Sequence, residues 1–490
     1  MGTGLGLGIG IPFRRMGAGI DSQAQAHYNR VIADGGLIPS GLVGVNNFFK
    51  TVKGIYGTSD ITTAISVGLD AQVLGYKLGA GAGTTAGQAA QKLYSCSGSS
   101  GDVVQTTAAS QPLLLVHSGA NYWFTPNGVT NNCSTPNATA NQITGDYEVI
   151  ARCKAITSLD NFGGGKYSGT AANCGFWWLL TDTDFFAGFS GNTYTSSLSN
   201  KYSNGVEFYY KITRLSSTGT ITLTRGTDGV NFPTTMATLA GATGAMPAGS
   251  VDFLATQGPG VSSAKHGYLY RMTISNSIGG APVVDFNPSQ YNAANSQTQW
   301  TSSTGEVWTI NTDTATTGYK AVLVDRTIMQ GDGVDDRLSS GTITSFITCT
   351  EYSAINPLRT IGGGSKYLLA TNTADAHITY IGTNLMRSGS YAGANSGEIQ
   401  YSSAPDYRLN CFTALFNGAS SLVLTNNASQ VTGSTSSATS SSEIKILSDK
   451  NGATCANAIM NTFILSANTD NSTQRESIYN AIRGINNNAF

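Results

Sequence analysis

Hydrophobic and polar residues alternate in short runs over most of this chain. From about residue 111 almost to the C-terminus, turn residues separate the runs, which include 147–151, 208–212, 220–224, 268–274, 421–425 and 444–447. A period of two places apolar side chains on one face of a strand and polar side chains on the other. Many short strands separated by turns predict a mainly β protein built from antiparallel β-sandwiches.

Three segments have helical spacing instead. The first is predicted to start after Asp21, an N-cap residue, and to end at Gly35 and Gly36. Its polar side would carry His27, Arg30 and Asp34, and its apolar side Tyr28, Val31 and Ile32. The second has apolar positions at Leu42, Val45, Phe48 or Phe49, Val52 and Ile55 and closes at Gly57. The third starts with a predicted capping box, TQRE at 473–476, and continues with Ile478, Ile482 and Ile485.

The N-terminal stretch MGTGLGLGIGIPFRR also alternates. Glycines separate its apolar residues, which are Leu5, Leu7, Ile9 and Ile11. Its arginines follow the apolar stretch, which is not the order of a secretion signal. A lone strand of this kind is unstable, so we expect an assembly arm that adds to a sheet edge of its own chain or a neighbour's. The alternative is an arm folded back on its own domain.

Similar segments recur at a separation near 200 residues. TPNGVTNNCSTP aligns with QGDGVDDRLSSG, GTITLT (219–224) with SSLVLT (420–425), and GYLYRMTISN (267–276) with AIMNTFILSA (458–467). GGGKYSG (163–169) and IGGGSKY (361–367) are expected to be one loop in two copies. This order predicts tandem sandwiches at 111–313 and 314–490. They follow an anchoring region, 1–110, made of the arm, short helices and a Gly/Ser-rich linker from about residue 79.

Composition and charge exclude several classes of function. The formal net charge is −1 and only 11% of residues are charged, so the clustered cations of a nucleic-acid site are missing and no nucleic-acid partner is expected. No apolar run reaches the ~18 residues of a membrane helix, so no membrane partner is expected. The seven cysteines include no CxxC pair, which predicts buried thiols and a reducing compartment. One bridge among Cys133, Cys153 and Cys174 is the alternative.

The carboxylates do not form a catalytic pattern. Asp332, Asp335 and Asp336 surround Gly333 in QGDGVDDRLSSG, where Asp and Gly favour a turn that enters a strand. Asp182 and Asp184 share one face of a predicted strand, but no third acid follows them. The four histidines are scattered and no GxSxG elbow occurs. We therefore predict no catalytic residues and a protein that is not an enzyme.

Aromatic residues make sugar binding the credible chemistry. The chain has 5 Trp and 22 Tyr, and aromatic faces cover the apolar side of a sugar ring. Most tryptophans of alternating strands are expected to be core residues. Trp177 and Trp178 are adjacent, so one of them must point away from the core if both lie in a strand. This pair is the predicted carbohydrate-binding site.

The segments GDGVDD and TLTRGTDGVNF (222–232), with a late strand and a short helix carrying Glu476 and Tyr479, resemble concanavalin-A-like, laminin-G-like jelly-roll modules. The wider arrangement, with QAHYNRVIADGG and VVDFNPSQYN…SSTGEVWTIN (283–311), resembles structural proteins of tailed-bacteriophage virions. The first resemblance implies a possible Ca²⁺ site at Asp332, Asp335 and Asp336, because such modules often bind calcium through oxygen ligands. Otherwise no cofactor is expected.

The second resemblance implies a capsid-decorating, fibre-like or tail component that is located in the virion and assembled in the host cytoplasm. Its partners would be other virion subunits, in a homo-oligomer. The alternative function is a carbohydrate-binding adhesin or receptor-binding protein that recognises host glycans. The destination of the arm separates the two functions, because an arm paired with a neighbouring subunit favours assembly.

Overall fold

The structure is a computed structural model. It describes residues 19–79, 88–115, 121–123, 132–138, 142–155, 162–166, 176–181, 183–189, 192–198, 206–243, 252–254, 267–291, 299–311, 322–324, 326–331, 335–343, 346–357, 366–371, 377–382, 385–390, 398–401, 410–426, 430–435, 442–448, 455, 458–466 and 468–486. The predicted assembly arm, with Leu5, Leu7, Ile9 and Ile11, lies outside these residues.

The described residues contain three α-helices, α1 (Ser22–Ala33), α2 (Gly41–Tyr56) and α3 (Ser472–Ile485). In the first half of the chain the strands are β1 (Val67–Asp70), β2 (Tyr76–Leu78), β3 (Gln88–Leu93), β4 (Val103–Val104), β5 (Leu113–Leu115), β6 (Asn121–Trp123), β7 (Asn132–Thr135), β8 (Tyr147–Lys154), β9 (Phe162–Lys166), β10 (Phe176–Leu180), β11 (Asp184–Phe189), β12 (Asn192–Ser197), β13 (Glu207–Leu215), β14 (Thr220–Gly226), β15 (Thr234–Leu239), β16 (Phe253–Leu254) and β17 (Tyr268–Ser275). The later strands are β18 (Pro282–Phe286), β19 (Gln299–Thr301), β20 (Val307–Asn311), β21 (Val322–Val324), β22 (Ile328–Gln330), β23 (Leu338–Ser340), β24 (Cys349–Pro357), β25 (Lys366–Thr371), β26 (His377–Gly382), β27 (Leu385–Ser390), β28 (Glu398–Tyr401), β29 (Asn410–Phe416), β30 (Ser421–Thr425), β31 (Gln430–Gly433), β32 (Ile444–Ile446) and β33 (Ala458–Ser466).

The chain forms two compact units that do not follow its linear order. The inserted unit is Gly119–Asp325, and the discontinuous unit combines Met1–Ser118 with Arg326–Phe490. The sequence boundaries at 110/111 and 313/314 differ from this division. β1 and β4, which lie within the predicted anchoring region 1–110, belong to the sheets of the discontinuous unit, because β1 pairs with β33 and β4 pairs with β23. Backbone hydrogen bonds between distant segments, which no local pattern reveals, make this division.

Each unit is a sandwich of two antiparallel sheets. In the inserted unit the strand orders are β15-β14-β13-β8-β17-β6-β21 and β12-β11-β10-β9-β16-β7-β20-β19. Pairings in the discontinuous unit give β31-β30-β29-β24-β33-β22-β5 and β28-β27-β26-β25-β32-β23-β4-β3-β2. The two orders match strand for strand over their shared length. The predicted tandem, mainly β sandwich fold is therefore confirmed.

The inward faces follow the predicted period of two. In β8, Val149, Ala151 and Cys153 point into the core, and in β13 Phe208, Tyr210 and Ile212 do the same. The discontinuous unit has a core of its own, which includes Phe412, Phe463 and Leu465. Five cysteines of the described residues are buried free thiols, Cys96, Cys133, Cys153, Cys349 and Cys411, whereas Cys174 lies outside the described part of the chain.

Two predicted loops form strands instead. The glycine segment at 163–165 belongs to β9, where Gly163 and Gly165 lie against the backbone of β10. A Cβ at Gly165 would come within 2.4 Å of the Trp177 Cα, so close strand approach explains the glycine. Within the predicted linker, 88–93 and 103–104 form β3 and β4. Besides its many small residues, the segment contains Leu93 and Val103, which are buried and anchor the two strands in the core.

The helices begin and end close to the predicted residues. The Asp21 side chain caps α1 by accepting hydrogen bonds from the backbone amides of Gln23 and Ala24. Gly57, at φ +64, ends α2. The predicted capping box of α3 is wrong by two residues, because Asn471 and Gln474 form it. Asn471 precedes the predicted start and offers an equally good capping amide.

The faces of α1 are partly reversed. Ile32, predicted to be buried, is 47% exposed, whereas His27 is 5% exposed. The His27 Nε2 lies 2.8 Å from the backbone oxygen of Leu74, and Arg30 contacts its Nδ1. Burial and the positive charge of Arg30 lower the pKa of His27 from 6.5 to about 4. The hydrogen bond to a backbone carbonyl in a distant turn therefore explains why the His27 side chain is buried.

We expect the discontinuous unit to lose about 3 kcal/mol of unfolding free energy as the pH falls from 6.5 to about 4. The unfolded imidazole takes up a proton in this window and the folded one does not, so acidification favours unfolding. Urea titrations across this window would measure the effect. The His27→Gln variant, which does not titrate, should lack this component, and an unchanged slope in that variant would assign the pH dependence to other groups.

A buried ion pair joins the two chain segments of the discontinuous unit. Arg326 Nη2 donates to both carboxylate oxygens of Asp70, at 2.6 and 2.8 Å, and both side chains are buried. Thr462 donates to the same carboxylate, and Arg326 Nη1 donates to Asn486 and to the backbone oxygen of Ile485. Hydrogen bonds thus satisfy the Asp70 carboxylate and both terminal nitrogens of Arg326, whereas the buried Arg326 Nε has no partner among the described residues.

Candidate functional site

The outer face of one sheet of the inserted unit carries charged and aromatic side chains on neighbouring strands. Because β13 alternates, Glu207, Tyr209 and Lys211 point away from the core, and Arg152 on β8 lies in register with Tyr209. We call Arg152, Glu207, Tyr209, Lys211 and Phe232 the Tyr209 face. All five side chains are partly exposed, so the face combines hydrogen-bonding groups with aromatic rings.

Arg152 is held rigidly at the centre of this face. Its Nε and Nη2 donate to the two carboxylate oxygens of Glu207, at 2.6 and 2.9 Å. The hydrogen bond to Glu207 raises the pKa of Arg152 above its usual value. The guanidinium also lies 4.7 Å from the centre of the Tyr270 ring. A planar group fixed by a two-bond contact and a ring presents its remaining donors in one orientation.

Lys211 extends the face along β13. Its ammonium group lies 4.8 Å from the centre of the Phe232 ring and 4.0 Å from the carboxylate of Glu148. Each cation of the face thus has an acid and an aromatic ring nearby. This local charge balance suits a neutral polyhydroxyl ligand better than a polyanion.

A tight turn supports the Tyr209 ring. The Asp228 carboxylate accepts hydrogen bonds from the backbone amides of Val230 and Asn231, which closes the turn between β14 and β15. Gly229 has φ +75, and a Cβ there would come within 2.8 Å of the Tyr209 ring. Only glycine lets the turn lie directly against the ring.

In the discontinuous unit, the outer side of the corresponding sheet, which contains β29 and β30, is apolar and covered by a helix. On its outer side Leu415, Leu422 and Leu424 form a buried apolar cluster. Helix α3 packs on β29 with Ile478, Tyr479 and Ile482 buried. The same strand positions are therefore apolar and covered by a helix in one sandwich, and polar and partly exposed in the other.

A buried carboxylate, Asp470, links α2, β24 and the start of α3. Asp470, which precedes α3, accepts hydrogen bonds from Tyr56 and Tyr352 at 2.6 and 2.7 Å. Burial raises the pKa of Asp470 above its usual value, although the hydrogen bonds oppose this effect. The contacts join α2, β24 and the start of α3. The group is enclosed by the chain's own side chains and serves packing.

The predicted pair of tryptophans lies on the two faces of β10. Trp178 is in the core, and its Nε1 donates to the Tyr210 hydroxyl at 3.1 Å. Trp177 lies on the opposite face with Leu179 and Phe186, directly over Gly188. The expected opposite orientation is therefore observed. Trp177 is only 6% exposed, so sugar binding by this pair stays a prediction and the Tyr209 face is the more accessible aromatic surface.

The predicted calcium segment is described only in part. Asp335 and Asp336 lie in the segment before β23, separated from the strand by Arg337, and Asp332 lies outside the described residues. Asp335 accepts a hydrogen bond of 2.8 Å from Ser110. Within the described ranges no group of three His, Cys, Asp or Glu side chains could hold a metal ion. Calcium binding there stays a prediction.

The other sequence candidates add no reactive group to this face. Asp184 accepts a hydrogen bond from its neighbour Thr183, and Asp182 lies outside the described residues.

Among the described helices, none has the length and apolar character needed to span a bilayer. Sequence reasoning missed the Tyr209 face, although the alternation in EFYYKIT (207–213) signals that Tyr209 points outward.

Comparisons with known proteins give structural similarity only. No protein-family model matches the chain, and no curated protein does. A structure of domains LG4-5 of the mouse laminin alpha1 chain matches with 9% identity and a TM-score of 0.31, covering 72% of this chain and 94% of that one. The LG1-3 region of the laminin alpha2 chain matches with 9% identity and a TM-score of 0.30, covering 73% and 64%.

A third match is the carbohydrate-binding module CBM66 from Bacillus subtilis, at 13% identity and a TM-score of 0.22, covering 29% of this chain and 86% of that one. At these scores the fold assignment depends on the strand orders and cores described above. The predicted virion role stays a prediction.

Proposed function

We propose that this protein is a non-enzymatic carbohydrate-binding protein and that the Tyr209 face of its inserted unit binds the glycan. The observation that supports this proposal is the contrast between equivalent sheets, one covered by a helix and the other carrying partly exposed aromatic and hydrogen-bonding side chains. Tyr209 and Phe232 would cover the apolar face of a sugar ring. Arg152, Glu207 and Lys211 would bond its hydroxyl groups.

Tyr209→Ala is expected to weaken glycan binding by about 1–3 kcal/mol, a loss of roughly ten- to a hundredfold in affinity, because it removes the central ring. A glycan array would first identify a ligand for the wild-type protein, and calorimetry would then compare variants. Tyr28→Ala, which removes a partly exposed tyrosine from α1 in the other unit, is the matched control. Equal affinities for wild type and Tyr209→Ala would exclude this face as the site.

A role in assembly is the second candidate. Exposed apolar side chains are concentrated around the N-terminal helices, where Ile20, Ile32, Leu37 and Val43 are 47% or more exposed. Such residues favour contact with another protein surface. We propose that this region, together with the N-terminal arm, attaches the protein to other subunits of a virion, while the sandwiches are displayed.

Removal of residues 1–18 is expected to abolish incorporation into particles and leave the sandwiches folded. Co-expression with the particle components, followed by sedimentation and electron microscopy, would measure incorporation. Circular dichroism of the truncated protein is the folding control. Normal incorporation without the arm would contradict its assembly role and leave the glycan-binding proposal untouched.

A further inference from the structure

A buried lysine of the inserted unit lies against an amide side chain. Lys166 ends β9 and is only 1% exposed. Its Nζ donates a hydrogen bond to Oδ1 of Asn137, which follows β7. Strands β9 and β7 flank β16, because Phe253 is in register with Lys166 on one side and with Thr135 on the other. The contact therefore spans three neighbouring strands of one sheet.

The surroundings of Lys166 favour the neutral amine. Burial lowers the pKa of Lys166 from 10.5 to about 8, although the charge of Asp252 opposes this effect. A lysine with a lowered pKa has a larger share of uncharged amine near neutral pH. Only this form carries the electron pair that attacks a carbonyl carbon, so burial makes Lys166 a better nucleophile than an exposed lysine.

The side-chain amide of Asn137 is arranged as an electrophile. Its Oδ1 accepts hydrogen bonds from both Lys166 Nζ and Gln142 Nε2. Donors on a carbonyl oxygen stabilise the negative charge that develops there when the carbon is attacked. The Asp252 carboxylate accepts a hydrogen bond of 3.3 Å from the backbone amide of Asn137. An amine, an amide carbon, an oxyanion donor and a proton acceptor are thus grouped around one side chain.

We propose that Lys166 and Asn137 are a modification site at which the chain forms an internal isopeptide bond. The Lys166 Nζ forms a bond to the Asn137 Cγ, and the bond between Cγ and Nδ2 breaks. Asp252 takes one proton from Nζ and passes it to Nδ2, so one molecule of ammonia leaves and no oxidant is consumed. Amide exchange is slow in water, and an amine held against the amide by the fold supplies the proximity that the reaction needs.

The isopeptide bond would connect β9 to the segment after β7 across β16. Strand β16 has only two residues, Phe253–Leu254, and depends on both neighbours for its place in the sheet. A covalent link between those neighbours restricts the unfolded chain, as a disulfide does. Unlike a disulfide, it forms and persists in a reducing compartment, which suits a chain whose cysteines are buried thiols.

Peptide mapping of the full-length protein by mass spectrometry tests the proposal. We expect a branched peptide that contains Asn137 and Lys166, one ammonia lighter than the sum of its two parts, and no tryptic cleavage after Lys166. Linear peptides only, with normal cleavage after Lys166, would overturn the proposal and leave the contact as a hydrogen bond. An ammonia loss confined to one linear peptide, as ring closure at an Asn-Gly sequence produces, would overturn it as well.

Lys166→Met and Asn137→Ala should each abolish the branched peptide. The matched control is Lys154→Met, which removes another buried lysine of the same unit and should keep the branched peptide; its loss there would contradict the assignment to Lys166. The wild-type map decides even where a variant does not fold, because it needs no comparison.

The role of Asp252 is tested separately. Asp252→Ala should slow bond formation by about a hundredfold, because the proton relay is removed. A time course of peptide maps after cell-free synthesis would measure the rates of the variant and of wild type. Equal rates would overturn the role given to Asp252.

Discussion

Replacing Arg326 with methionine is expected to lower the unfolding free energy of the discontinuous unit by about 3–5 kcal/mol. The variant would leave the Asp70 carboxylate buried without its cation, and the Asn486 side chain would lose a donor. Arg326 lies at the start of the segment that returns from the inserted unit. Its loss should therefore also loosen the junction that holds β22 in place.

Urea denaturation, followed separately for the two units by hydrogen exchange, would measure this effect. The matched control is Lys77→Met, which removes a cation from the partly exposed pair with Asp34 and should cost no more than about 1 kcal/mol. Replacing Asp70 and Arg326 together by apolar residues should restore part of the loss. If Arg326→Met lowered the free energy of unfolding as little as the Lys77→Met control, the result would contradict a stabilising role for the Asp70–Arg326 pair.

The second large effect is expected from Trp178→Ala, which should destabilise the inserted unit by about 3–5 kcal/mol. The indole is completely buried, stacks with Phe176 at a ring-centre distance of 6.0 Å and donates to Tyr210. Its removal leaves a cavity between the sheets and an acceptor without its donor. Thermal and urea unfolding of the variant would measure the loss.

Trp177→Ala is the adjacent comparison on the same strand. Its indole packs in a small cluster with Leu179 and Phe186, outside the main core, so we expect a smaller loss of stability. The same variant tests the predicted sugar site, because unchanged glycan affinity would exclude Trp177 as a contact. Equal destabilisation by the two substitutions would contradict the assignment of only one indole to the main core.

Local patterns predicted the regular elements well. The runs at 147–151, 208–212 and 268–274 are parts of β8, β13 and β17. Four predicted apolar positions of α2 are buried, Val45, Phe48, Phe49 and Val52, whereas Leu42 and Ile55 are only partly buried. These features depend on the period of side-chain direction, which the sequence displays directly. His27 and Ile32 were assigned to the wrong faces, because the carbonyl of Leu74 that binds His27 comes from a distant turn.

The candidate site was predicted only in part. The adjacent pair of tryptophans showed that an aromatic side chain lies on the outer face of a sheet, since neighbouring residues of a strand point in opposite directions. The Tyr209 face requires β8, β13 and the turn after β14 to come together. Alternation shows that Tyr209 points outward, but it cannot show that Arg152 lies beside it or that Gly229 lies against its ring.

The sequence by itself determined the mainly β class, the repeat near 200 residues, the helices and the opposite orientation of Trp177 and Trp178. Each of these follows from the spacing of residue types along a short stretch or between two copies of it. The tertiary structure decided that residues 67–115 complete the discontinuous unit, because their strands pair with segments more than 200 residues away, which no local pattern reveals. It also decided that Asp70 pairs with Arg326, 256 residues away, and that only one of two equivalent sheets presents an open aromatic face.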